Sequence, residues 1–238
     1  MSIHFNRKKK TSFLFRVIYN LNKIRFMGQK RKLRLFLDLE WIFGRLAHEA
    51  SFFHYSNLDH PIRTKGKSFL LNGINKENIV LDLGCNLGEN AWLISQKAAE
   101  VTGIDFNASA IETADKQFKS QNLTFIQSEA ITYLSSSKKQ FDTLILSHIL
   151  EHISDQRSFL MAHKAFFKRI YIELPDIESS FLNEYRADVN ADFQYTDDDH
   201  VVEFDREDLQ TLLKECGLKI LSSEYIYGIQ KYWCAVEK

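Results

Sequence analysis

The sequence predicts an α/β fold: a doubly wound, mostly parallel sheet preceded by a helical extension. Three observations carry that expectation. Short apolar runs alternate with amphipathic stretches from Ile79 to Pro175, the connections between them are only a few residues long, and two further apolar-rich runs close the chain. Strands and helices alternating through short loops specify parallel strands covered on both faces. Right-handed crossovers then wind the sheet in both directions from a switch point.

The elements follow in order. Ser12–Met27 reads as a helix with Leu14, Val17, Ile18, Leu21 and Ile24 on one face. Leu35 to about His54 reads as a second, with Leu35, Leu39, Ile42, Phe43 and Leu46 at helical spacing. His60-Pro61-Ile62-Arg63 breaks and restarts the chain. Residues 1–60 are therefore expected to form an N-terminal helical extension, and residues 61–238 the sheet domain. Within that domain Ile79–Leu83, Val101–Ile104, Leu123–Gln127, Thr143–Leu146 and Arg169–Glu173 read as strands. The intervening helices are Glu89–Ala98, Ser109–Lys119, a short one near Ala130–Ser135, and Arg157–Phe167. Residues 176–204 read as a long, irregular, acidic insert, a candidate lid or binding loop. Asp205 has the chemistry of an N-cap for a helix through Cys216, with Gly217 as its stop. Lys219–Ile226 and Ile229–Val236, joined at Gly228, form a hairpin that adds an antiparallel edge.

Bulk composition narrows the setting. The chain has 238 residues, 45% of them hydrophobic and 26% charged, which suffices for one sizeable core plus an appendage. No apolar run approaches the roughly 20 residues that span a bilayer, and the start lacks a signal-peptide pattern. Three cysteines without a C-x-x-C pair argue against a disulfide framework or zinc ribbon, so a reducing cytoplasm is expected. Residues 1–37 hold eleven Lys or Arg and no acid. From the totals of 31 and 31, this leaves 20 basic against 31 acidic residues in the remainder. A cationic arm before an anionic body fits an anionic partner, such as the inner face of a membrane reached through residues 7–34, or a nucleic acid. It equally fits an arm that packs on its own acidic body.

In open α/β sheets ligands bind outside the carboxyl ends of the strands. Those ends carry Asp82-Leu-Gly-Cys-Asn-Leu-Gly88, Asp105-Phe106, Ser128-Glu129-Ala130 and Ser147-His148. Glycines at a strand-to-helix turn permit left-handed dihedrals and close approach of a ligand. The acid at Asp105, some twenty residues beyond Gly84, has the spacing of a carboxylate that accepts from ribose hydroxyls. The glycines are G-x-x-x-G, which is neither the dinucleotide fingerprint nor a P-loop. The expected ligand carries a ribose but no pyrophosphate.

Three stretches in this order, Val80–Gly88, Gly103-Ile-Asp105 and Phe141–His152, resemble the class I, Rossmann-like methyltransferases that use S-adenosylmethionine, over about residues 75–238. The resemblance implies a seven-stranded sheet in the order 3-2-1-4-5-7-6 with the last strand antiparallel. It also implies roles for individual residues. Gly84 and the backbone of Cys85 and Asn86 would pass beside the methionine portion, with Asp82 near its ammonium through water. Asp105 would hold the ribose hydroxyls and Phe106 would pack on the adenine. Glu129 and Ala130 would face the adenine edge, and the Ser147 carbonyl would take the ammonium. Arg63 would pair with the methionine carboxylate. Asn86 stands where the family often has glycine, and asparagine tolerates left-handed dihedrals better than most residues.

Methyl transfer from a sulfonium needs positioning and exclusion of water, and an alcohol acceptor also needs a base. His148, after the fourth strand, is the first candidate. His152 lies one turn on, with a structural role in its own loop as the alternative, and His200 closes the acidic insert. No resident metal is expected. The alternative follows from a likeness of His148-Ile-Leu-Glu-His152 to the metal-binding Glu-x-x-Glu-His turn of ubiquinone-pathway O-methyltransferases, and would use His148, Glu151 and His152. The acceptor expected from the resemblance is a small molecule or a surface-glycan sugar, by O- rather than N-methylation. Two other classes remain open. A nucleic-acid methyltransferase would use the basic arm, although Ser147-His-Ile-Leu does not match a target-base motif, and a relative that binds the donor without catalysis is the other.

Overall fold

The computed structural model describes residues 13–21, 23, 27–56, 59–137, 139–194, 197 and 199–237. The basic residues Arg7, Lys8, Lys9, Lys10 and Arg25, the apolar Ile24, and Tyr195 and Asp198 of the insert lie outside them. So do the side chains of Leu14, Ile18, Leu21 and Arg63.

The chain runs α1 (Phe13–Leu21), α2 (Gln29–His54), α3 (Pro61–Gly66), α4 (Ser68–Asn72), β1 (Ile79–Leu83), α5 (Glu89–Ser95), β2 (Glu100–Asp105), α6 (Ala108–Gln117) and β3 (Leu123–Gln127). It continues through α7 (Ala130–Ser136), β4 (Thr143–Ser147), α8 (Gln156–Lys164), β5 (Arg169–Pro175), α9 (Leu182–Val189), α10 (Arg206–Glu215), β6 (Leu218–Ile226) and β7 (Ile229–Val236). The seven strands lie in the order 3-2-1-4-5-7-6. All pairings from β3 to β5 are parallel, and β7 is antiparallel to both β5 and β6. This is the expected doubly wound sheet with its terminal hairpin.

Side-chain alternation builds two cores from the same strands. Leu81, Leu144, Leu146, Ile170 and Ile172 enter one cluster with Leu160, Leu209 and Leu213 from α8 and α10. Their neighbours Val80, Ile145 and Tyr171 enter the other, with Leu70, Ala91 and Ile94 from α4 and α5. The helices start where side chains satisfy their first amides. Asn107 accepts from Ser109 and Ala110, Asp155 from Ser158, and Asp205 from Asp208. At the β6–β7 turn Tyr227 and Gly228 both have positive φ, 56° and 75°. That is the twist two antiparallel strands need from a two-residue connection.

The insert departs from the sequence reading. Residues 176–204 are not irregular throughout, since they hold α9 and dock on α2. Arg186, on α9, is buried and bonds to Asn183 and Glu40, and its Nη2 donates to the Leu37 carbonyl at 3.5 Å. Asp38 of α2 accepts the amides of Asp192 at 3.0 Å and Phe193 at 3.3 Å. Trp41 and Phe193 stack with ring centroids 4.6 Å apart. Leu37, Val189 and Ala191 close a small core between them. Arg34 pairs with Asp192 and Arg45 with Asp197, so this stretch of basic sequence does pack on its own acidic insert.

Candidate functional site

At the carboxyl ends of β1, β2 and β3 the chain encloses a cavity of about 520 Å³, within the usual range for small-molecule sites. A larger hollow of about 720 Å³ lies between α10 and β6 at the far edge of the sheet. The smaller cavity is the candidate site, because it sits where the strand order reverses between β1 and β4.

The turn after β1 is tied to the end of β2. The amides of Gly84 and Cys85 both donate to the Ile104 carbonyl, at 2.8 and 3.0 Å. The Asn86 amide donates to Asp105 Oδ2 at 2.9 Å, and the Asn107 amide to Oδ1 at 2.8 Å. The two oxygens of a carboxylate offer about four acceptor positions, so these two bonds leave room for ligand hydroxyls. Gly84, Asn86 and Gly88 have φ of 69°, 46° and 83°, so Asn86 takes up the left-handed geometry anticipated for it. The two glycines serve different ends. A Cβ on Gly88 would sit 2.6 Å from Phe125 Cζ and 2.8 Å from Ala114 Cβ, a packing demand of the protein itself. Gly84 lines the cavity, and a Cβ there would meet Ile149 Cδ1 at 2.3 Å.

Of the residues singled out in the sequence, Gly84, Asp105, Phe106, Glu129, Ala130 and His152 line this cavity. Phe106 is 83% exposed. The Glu129 carboxylate is turned into α7, where it accepts the amides of Ile131 and Thr132 and the Thr132 hydroxyl. Its side chain therefore caps a helix in addition to bordering the cavity. Cys85 is buried against Gly103, and its thiol is pushed up by burial, which leaves it inert. Asp82, Ser147, His148 and His200 lie outside the lining.

Asp82 is buried and its Oδ2 has no hydrogen-bond partner. Burial drives its pKa up to about 7, against the lowering influence of Lys67 and the Ala91 amide. Asp82 directly precedes Leu83 and Gly84 of the lining, and an orphaned carboxylate oxygen at that position suits a cationic group on the ligand.

Beyond β4 the sequence reading missed a polar cluster. Glu173, on β5, is buried and bonds to Lys67 at 2.9 Å, Ser147 Oγ at 2.9 Å and the Tyr171 hydroxyl at 2.6 Å. Burial alone would raise the Glu173 carboxyl, but Lys67, His148 and Tyr171 together hold it down at about 2. One signal was available: an acid inside the otherwise apolar run Ile170-Tyr-Ile-Glu-Leu174 rarely goes unpartnered. Lys67 carried no comparable signal.

His148 has φ 56°, a sparsely populated region for a non-glycine residue that costs about 1–3 kcal/mol. This dihedral sets its ring between two buried carboxylates. Nδ1 is 3.0 Å from Glu151 Oε1 and Nε2 is 3.8 Å from Glu173 Oε1. The three-residue metal arrangement differs from the one entertained on sequence. Among the described residues the group able to converge on one ion is Glu151, His152 and His200, whose ligand atoms lie within 4.8 Å of one another. His148 bonds to Glu151 without belonging to this group, and the insert supplies His200 instead. The His152 and His200 rings meet edge to face, 4.8 Å between centroids.

A family model described as a methyltransferase domain matches residues 55–223. An uncharacterized RNA methyltransferase of Mycoplasma mobile is 32% identical over 124 residues, 50% of this chain and 34% of that protein. A ubiquinone biosynthesis O-methyltransferase of Histophilus somni is 32% identical over 116 residues, 46% of this chain and 48% of that protein. The chain thus spans between a third and a half of the length of these relatives. The crystal structure of an N-methyltransferase, NodS of Bradyrhizobium japonicum, in complex with S-adenosylhomocysteine superposes with a TM-score of 0.58 at 14% identity, over 77% of this chain and 92% of that one. A magnesium protoporphyrin IX methyltransferase of Synechocystis with the same product bound covers 97% of this chain and 90% of its own, at 13% identity and a TM-score of 0.53. These two likenesses concern the fold.

Proposed function

This chain belongs to the methyltransferase-domain family, with S-adenosylmethionine as its methyl donor, and we propose that it methylates a hydroxyl of a small molecule with His148 as the general base. The observation that carries the proposal is the imidazole of His148 held on buried Glu151 at the end of β4. An amine or a glycan sugar hydroxyl is the variant acceptor of the same chemistry.

The donor fits the residues present. Asp105 would accept the ribose hydroxyls, the unpartnered Oδ2 of Asp82 would face the ammonium, and Gly84 leaves space where a side chain would intrude. The apolar walls at Ile104, Ala130 and Phe159 suit the adenine. When bound, the donor supplies a methyl already activated on sulfur, so the chain contributes orientation, a dry site and proton removal. With the Nδ1 proton donated to Glu151, Nε2 of His148 is the lone pair that takes a proton from an acceptor hydroxyl. Glu151 acts through His148 as a positioning residue. Lys67, Ser147 and Tyr171 keep Glu173 saturated, which places a fixed negative charge near the imidazolium that forms.

A divalent ion is the second reading. It is favoured by Oε2 of Glu151, which is buried without a hydrogen-bond partner while His152 and His200 stand beside the same carboxylate. Glu151 would then serve His148 through one oxygen and the ion through the other.

Titration of the purified protein with S-adenosylmethionine and S-adenosylhomocysteine tests the donor assignment. Failure of both to bind a folded sample removes it. Repeating the titration with Mn²⁺ or Zn²⁺ on wild type and His200→Ala tests the ion, and equal heats from both proteins exclude it. A screen of alcohols, phenols, sugars and amines follows, and turnover of amines alone overturns the hydroxyl assignment.

A further inference from the structure

Helix α2 has two faces of opposite fate. Leu37, Asp38, Trp41 and Arg45 meet the insert, as described above. Phe36, Leu39, Phe43, Leu46 and Phe53 lie on the opposite side at alternating steps of three, four, three and seven residues. Such spacing keeps one stripe over five turns of helix. All five are exposed, Phe43 by 65%, Leu46 by 54% and Phe53 by 93%. Isolated exposed apolar residues are ordinary, but an aligned stripe of five large ones marks an interaction surface.

The charge beside the stripe favours an anionic partner. Lys30, Arg31 and Lys32 open the same helix, with Gly28 at its start and no acid in that first turn, while Arg34 is engaged with Asp192 of the insert. All eleven basic residues of the first 37 precede or open this stripe, and α1 adds exposed Phe13, Val17 and Tyr19. A lengthwise apolar face rich in phenylalanine, led by a cationic end, is the chemistry of a helix lying in the headgroup region of an anionic bilayer. A second copy packed in parallel would bring like-charged cationic ends together, and an antiparallel copy would leave the basic end of each without an anionic partner of the density a lipid surface offers. No helix among the described residues is long and apolar enough to cross a membrane, so the mode is surface docking.

We propose that the outward stripe Phe36–Phe53 of α2 docks this chain on an anionic lipid surface. The inward face of α2 grips the insert that carries Asp199 into the cavity wall and His200 beside it. A docked helix therefore holds the lining of the cavity near the bilayer. The inference does not depend on the methyl acceptor.

The experiment is flotation of the full chain with liposomes of phosphatidylcholine alone, or of phosphatidylcholine with about one third phosphatidylglycerol. Wild type is expected to float with the anionic liposomes and to be released by high salt. The variant Phe43→Ser/Leu46→Ser/Phe53→Ser removes three outward side chains, and is expected to lose at least roughly tenfold in partition while keeping the wild-type melting temperature. Equal partition of variant and wild type overturns the proposal, as does failure of wild type to bind anionic liposomes. A wild-type dimer in sedimentation that the variant abolishes, without liposome binding, assigns the stripe to a second copy instead.

Discussion

Nδ1 of His148 lies 3.0 Å from Oε1 of Glu151, a carboxylate with no exposed surface, and the His148 backbone adopts a left-handed φ of 56° to put it there. Strain of that kind persists where surrounding contacts enforce it. The pair forecasts a clean separation of binding from turnover. His148→Asn keeps a residue that tolerates the dihedral but removes the base. It is expected to lower kcat by roughly 10²–10⁴ while donor affinity stays within about twofold. Glu151→Gln should cost less in kcat and leave the donor site untouched. Wild-type turnover in His148→Asn sinks the base assignment.

Asp105 does two jobs, and its replacement should show both. Its carboxylate anchors the Asn86 and Asn107 amides, so Asp105→Ala leaves two backbone donors short of partners. The melting temperature should fall, and S-adenosylhomocysteine affinity should fall by more than tenfold in calorimetry. Lower stability with unchanged affinity would make Asp105 a structural residue only.

Asp82 predicts a pH dependence with a definite sign. Its folded-state pKa, about 7, is above the ordinary 3.8, so between those values the folded protein holds a proton that the unfolded chain has released. Stability without ligand should therefore decline as pH rises from about 4 to about 7, the reverse of a salt-bridged carboxylate. A bound ammonium would favour the ionised form and expel that proton. Donor binding near pH 6 should release close to one proton, read from titrations in buffers of different ionisation enthalpy, and Asp82→Asn should release none. Identical proton release by the two proteins would separate Asp82 from the ammonium.

Much of this was legible in the sequence because local patterns decided it. Strands β1 and β3 begin and end where apolar runs meet turn residues, and Asp205 caps α10 where expected. Asn86 and Gly84 were readable as left-handed positions for the same reason. Contacts across long sequence separations were not. Helix α9 is short and weakly amphipathic, and it is held by Arg186 reaching 146 residues back to Glu40. The cluster of Lys67 with Glu173 joins residues 106 positions apart. His200 reaches His152 because the insert returns to this turn, where the Val201 amide donates to the Glu151 carbonyl at 2.9 Å, whereas the sequence alone offered only the local partner His148.

The two turn glycines should fail differently when given a methyl. Gly88→Ala places a Cβ against Phe125 and Ala114 at φ 83°, with core neighbours on both sides. It is expected to destabilise by about 1–3 kcal/mol through strain and overpacking, seen in denaturant unfolding. Gly84→Ala meets the tip of Ile149, a flexible side chain that can swing aside into the cavity. At φ 69° it carries the same left-handed strain as Gly88→Ala but not the core overpacking, and it should in addition lower donor affinity. If Gly84→Ala binds S-adenosylhomocysteine as wild type does, that turn does not touch the ligand.

The insert's dependence on α2 gives the last prediction. Asp38 is a buried acid that accepts the Asp192 and Phe193 amides, and Trp41 stacks on the Phe193 ring. Asp38→Ala removes both acceptors, and Trp41→Ala removes the stack, while neither touches the sheet. Local opening of the insert should become easier without a matching loss of global stability. Amide exchange is expected to accelerate across residues 182–194 and to stay unchanged in β1, β4 and β5. Because Asp199 lines the cavity and His200 contacts His152, loosening the insert should also raise the acceptor KM more than it weakens donor binding. Uniform acceleration through the sheet would mean instead that α2 stabilises the whole domain, and the insert could not then act as a separately hinged wall of the site.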